Sequence, residues 1–134
     1  MRLSGMLSVA LTLAVIGCGS NPAPLKELQR THAGMFDVVL LSEGDVIKQG
    51  KGSFVLEFRN AQGALVDVGA VMLNASMPMP GMAPMFGTMT VLPDAMKGRY
   101  HVSSDLGMAG TWRLMISWNG PAGQGSASMP ATAL

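Results

Sequence analysis

Residues 111–118 put Trp112, Leu114, Ile116 and Trp118 on one side and Arg113, Met115 and Ser117 on the other. A half-buried β-strand satisfies that alternation and a helix does not. Phe54, Leu56 and Phe58 alternate with Val55, Glu57 and Arg59 in the same way, and Phe36, Val38 and Leu40 alternate with Asp37, Val39 and Leu41. Residues 65–68, 70–75, 85–92 and 98–102 read as further strand material, with a short closing strand around 126–128. Polar, glycine-containing turns separate them, among them residues 43–52 and Asn60-Ala61-Gln62-Gly63. No segment beyond residue 33 holds a helical period. The expectation is an all-β chain, an immunoglobulin-like antiparallel β-sandwich of about seven short strands over 34–130. Phe36, Phe54, Phe58, Trp112 and Trp118 supply the bulk of its core. The Cys–Trp–Cys arrangement of antibody domains is absent, since the chain has one cysteine.

That cysteine ends a different kind of segment. Arg2 and an apolar run over 6–16 lead to Val15-Ile16-Gly17-Cys18. One positive charge, a short hydrophobic stretch and a small residue at the exit describe an export signal. A membrane-spanning helix needs about 20 apolar residues, so the run is too short to be one. Its ending resembles the lipobox of bacterial lipoproteins. On that reading residues 1–17 are a signal peptide and Cys18 is the lipidated first residue. Residues 18–33 are then a flexible tether containing Ser20-Asn21-Pro22-Ala23-Pro24. Gly19 stands where an Asp would favour the inner membrane. The expected location is the cell envelope, lipid-anchored and facing the periplasm, with the outer membrane favoured. Lipidation also consumes the only thiol, so no disulfide or cysteine nucleophile is available.

Composition narrows the function. Nine Lys and Arg stand against eight Asp and Glu, which argues against a nucleic-acid partner, because such a partner requires a clustered basic surface. Two His and one Tyr leave few catalytic groups. Ser103, Ser104 and Asp105 beside His101 lie too close along one strand end to form a triad, and turn chemistry accounts for them. No phosphate loop, zinc pattern or dinucleotide fingerprint is present. An enzyme is not expected.

The thirteen methionines are the anomaly. Several crowd into Ser76-Met77-Pro78-Met79-Pro80-Gly81-Met82-Ala83-Pro84-Met85, where three prolines block ladder hydrogen bonds and enforce a loop. Thioethers favour Cu(I) over hard ions and carry no proton. Met77, Met79, Met82 and Met108 are the candidate ligands, Met108 because it sits in the glycine-flanked turn Leu106-Gly107-Met108-Ala109-Gly110. Met85, at the loop-to-strand boundary, and His101, inside a strand, are secondary candidates. His32, near Met35 on the tether, ranks below both. In a straight polyproline segment Met79, Met82 and Met85 would share a face about 9 Å apart, so one ion needs either Gly81 to fold the segment back or one or two loop sulfurs to join a ligand from elsewhere, Met108 or His101. Met72, Met89, Met96 and Met115 lie in or beside strand patterns and read as packing residues.

The strand Ser53-Phe54-Val55-Leu56-Glu57-Phe58, the proline–methionine loop, Gly98-Arg99-Tyr100 and Met108-Ala109-Gly110-Thr111-Trp112 together resemble the YtkA-like and FixH-like domains of bacterial envelope proteins. The resemblance spans residues 34–118. It implies a small sandwich of a kind that recurs near copper handling, heavy-metal efflux and cytochrome oxidase assembly. The expected function is an envelope lipoprotein that binds or hands on Cu(I), or Ag(I), through the methionine loop. The alternative is a metal-free docking module for an efflux or assembly component, because methionine side chains adapt to varied partners.

Overall fold

The computed structural model describes residues 24–134. Eight strands follow one another: β1 (Lys26–Ala33), β2 (Phe36–Ser42), β3 (Gly50–Arg59), β4 (Ala70–Met77), β5 (Met85–Pro93), β6 (Arg99–Leu106), β7 (Gly110–Gly120) and β8 (Gly123–Ala133). Among the described residues there is no helix. Every strand pair is antiparallel, in the order β1-β2-β3-β6-β5-β4-β7-β8.

This order folds into two layers because β5 changes partner along its length. Met85, Phe86 and Gly87 pair with Met77, Ser76 and Ala75 of β4, and from Thr88 onward the strand pairs with β6. The opposite edges are also joined. Ile47 in the β2–β3 connection donates its N–H to Thr132 O at 3.0 Å and accepts from Leu134 N–H at 3.1 Å. The result is an all-β sandwich that approaches a barrel, in keeping with the fold class expected from the sequence.

The alternating strands bury the faces expected of them. In β7 Trp112, Leu114, Ile116 and Trp118 are buried, while Arg113, Met115 and Ser117 are exposed. Phe58 packs edge-on against Trp118 at 5.3 Å and Tyr100 at 5.6 Å between ring centres. Phe36 is only half-buried and meets the edge of Trp118. A second, smaller apolar cluster of Val39, Leu41 and Val55, with Leu25 against it, lies on the other face of β2 and β3.

The structure corrects the sequence reading in three places. Residues 26–33, assigned to the tether, form strand β1, paired with β2 from Lys26↔Ser42 to Ala33↔Phe36. A register shift between Glu27 and Gln29 breaks the period of two there. The charged residues are satisfied by each other: Arg30 reaches Glu27 at 2.8 Å and Asp37 at 2.9 Å. Residues 65–68 form no strand beyond a Leu65–Arg59 bridge, because Asp67 Oδ1 accepts the Gly69 N–H at 3.0 Å and closes a turn. The short closing strand is instead the eleven-residue β8, which carries the domain past residue 130. Its inward positions are mostly small, and at Gly125 the reason is its register partner Trp118. A Cβ on Gly125 would stand 2.6 Å from the indole.

The two ends of the sandwich differ in composition. One gathers the start of β1, the 43–49 and 78–84 loops, the 107–109 turn and Leu134. The other carries the Gly34-Met35 turn, the 60–69 connection and the turns at 94–98 and 121–122.

Candidate functional site

The methionine loop joins β4 to β5, and its fold follows from its prolines and its glycine. Met82 N–H donates to Met79 O at 3.1 Å, with Pro80 and Gly81 between them. Gly81 has φ of 73°, the left-handed conformation that the third residue of a type II turn requires, and Pro80 supplies the second. Met79 and Met82 therefore lie across one turn, with Cα atoms less than about 7 Å apart. A straight segment would hold them further apart, so of the two arrangements open to the sequence the chain reverses at Gly81.

The remaining candidates divide. Met85 lies opposite Met77 in the β4–β5 register. Met85 is partly buried and packs against the main core, and Met77 is itself a member of that core at 9% exposure. The Met77 side chain runs beneath the 107–110 turn, since a Cβ on Gly110 would meet its Cε at 3.0 Å and its Sδ at 3.7 Å. Met77 thus departs from the expected loop position, because it occupies an inward-facing place at the end of a strand. Met108, on that turn, is 40% exposed and Met82 is 72% exposed. Trp112 fixes the turn from below, its indole N–H donating to Met108 O at 3.0 Å. One end of the sandwich therefore brings Met79, Met82 and Met108 to its rim, with Met77 and Met85 under them.

His101 is not among them. It lies five residues before Leu106, the last residue of β6, so about 16 Å of strand separates it from the rim. It faces outward and hydrogen-bonds Asp94 through Nε2. His32, on β1, is likewise engaged, by Asp37 at 2.9 Å. Cys18, the signal segment and the first part of the tether lie outside the described residues. Among the described residues, no group of three or more His, Cys, Asp or Glu is placed to hold a metal ion.

Two measurable consequences follow. Met77→Ala should cost about 2–4 kcal/mol, because it opens a cavity under the 107–110 turn. Met82→Ala should change stability by less than about 0.5 kcal/mol, and denaturant melts of the two variants would show whether the division between core and rim is correct. The second concerns Asp94, whose carboxyl is held below the ordinary carboxylate range by the Met96 N–H and then by the His101 ring. A lowered pKa stabilises the fold above the unfolded value, near 3.9, and that contribution is lost as pH falls through the folded value. Asp94→Asn should therefore be less stable than the native chain at neutral pH. The difference should close below about pH 4, and a gap that persists in acid would contradict the assignment.

A groove of about 660 Å³ opens on the outer face of the β1-β2-β3-β6 layer between Leu25, Leu41, Val55, Glu57, Arg59 and His101. Among the described residues no thioether lines it. Glu57, buried there, is held by Arg59 Nη2 at 2.7 Å.

Fold and rim together define a small antiparallel sandwich module with a methionine-bearing end. A family model described as YtkA-like matches residues 33–117, from the end of β1 into β7 and including the whole methionine loop and the 107–109 turn. The chain belongs to the YtkA-like family. No curated protein matches it.

Proposed function

We propose that this protein is a lipid-anchored envelope protein that binds or hands on a soft metal ion, Cu(I), at the methionine end of its sandwich. The observation that supports this most is the Met79-Pro80-Gly81-Met82 turn, which sets two thioethers on one reversal. Met108 stands on a turn at the same end, above Met77. Thioethers bind Cu(I) without losing a proton and persist where thiols would oxidise. An exposed site of a few neutral ligands suits exchange with a partner, because no charged ligand has to be reprotonated on release.

The test is a Cu(I) competition titration of the domain against a chromophoric chelator, under reducing and anaerobic conditions. One ion withdrawn per chain supports the reading, and no withdrawal at any chelator concentration removes it. The docking alternative gains from Phe86 and Leu92, exposed at 74% and 59% on β5, since neither carries a metal donor. In that case the chelator keeps all the copper and an envelope partner crosslinks to residue 86.

A further inference from the structure

We infer that the methionine-bearing end of the sandwich is its membrane-facing end and rests against the lipid surface, with Met82 its most deeply seated side chain. This rests on the lipid-anchored reading of Cys18, and it confines any exchange of an ion at this end to a partner at the membrane surface.

The argument starts from where the chain enters the fold. β1 begins at Lys26, whose register partner is Ser42, the last residue of β2. Lys26 also reaches Asp45 in the 43–49 loop at 2.8 Å. The domain is thus entered at the same end that carries the 78–84 loop, the 107–109 turn and Leu134. Lys26 stands eight residues after Cys18, and a fully extended chain of that length spans about 28 Å. An acyl anchor at Cys18 therefore cannot hold this end further than that from the bilayer. The Gly34-Met35 turn, a strand length beyond, is about 30 Å further along β1.

What this end presents is suited to lipid. Met82, Met108 and Leu134 are 72%, 40% and 67% exposed. Pro78, Pro80, Ala83, Pro84 and Ala109 are exposed between them. The charged side chains of the neighbouring segments balance, Lys26 and Lys48 against Glu43 and Asp45, so side-chain charge does not oppose the approach. Attraction comes from apolar contact held in place by the tether, which converts weak docking into an intramolecular event.

The experiment uses the processed, acylated full-length protein in vesicles of phosphatidylethanolamine and phosphatidylglycerol. Met82→Cys and Met35→Cys each carry a nitroxide label; both native side chains are exposed, so neither change should perturb folding. Collision rates with oxygen and with a water-soluble nickel chelate report depth. The expected result is an oxygen-to-nickel ratio several-fold higher at residue 82 than at residue 35. Equal, water-like ratios in protein that floats with the vesicles would overturn the orientation and leave the lipid anchor intact. Protein that fails to float would overturn the anchor, and the orientation with it.

Discussion

Replacing Met79, Met82 and Met108 together with leucine is expected to abolish Cu(I) binding while leaving the fold in place. Leucine conserves apolar volume and deletes only the sulfur, so the stability change should stay within about 1.5 kcal/mol for the three positions. The affinity change should be at least about 100-fold, or ~2.7 kcal/mol, because among the described residues no group of three or more His, Cys, Asp or Glu is placed to take over from the lost thioethers. A competition titration of native and variant protein measures the difference, and circular dichroism of both confirms that the sandwich is unaltered. An unchanged affinity would show that the ion, if bound, is held elsewhere on the chain.

The same titration run against pH separates thioether from imidazole ligation. Methionine sulfur has no titration in the accessible range, so affinity should be level between about pH 5 and 8. A fall below about pH 6.5 would mean that a histidine contributes. His101 is the histidine that the sequence suggested, and its position partway along β6, bonded to Asp94, argues against a break of that kind.

The strands that could be read from the sequence are those whose outward face is polar and whose inward face is large. β7 shows this most clearly, with Trp112 and Trp118 inward and Arg113 and Ser117 outward. β8 obeys the same alternation, but its inward residues are Gly125, Ala127, Met129, Ala131 and Ala133. Four of these five are small and give little periodic contrast, and at Gly125 the Trp118 indole occupies the space a Cβ would need. β1 was obscured by its bulge and by charges that pair with each other and so need no solvent-facing isolation. At the candidate site, the three prolines mark a loop, which the structure has over 78–84, and the turn at Gly81 is one of the two ways the sequence offered for bringing its sulfurs together. Local sequence could not reveal that Met77 belongs beneath Gly110, because that contact joins β4 to a turn more than thirty residues later.

Gly98→Ala is expected to be the most damaging single methyl group that can be added to the 94–98 turn. The backbone there has φ of 89°, in the region that L-residues rarely adopt. A Cβ would also stand 2.4 Å from Val66 O and 2.8 Å from Val66 N. Neither neighbour can yield easily. Val66 N–H donates to Phe58 O at 2.8 Å, and Phe58 N–H donates to Gly98 O at 2.9 Å, so all three backbones are locked together over the Phe58 end of the core. Backbone strain alone costs about 1–3 kcal/mol, and the forced separation brings the expected loss to about 3–5 kcal/mol, a fall in melting temperature of at least ~10 °C. Gly63→Ala is the comparison that isolates the cause. Its φ of 78° is similar, yet a Cβ there meets nothing within 4 Å. If thermal melts show the two variants equally destabilised, backbone conformation explains both and the Val66 contact carries no weight. If Gly98→Ala alone collapses the transition, the packing of the 60–69 connection against the 94–98 turn is what closes this end of the sandwich.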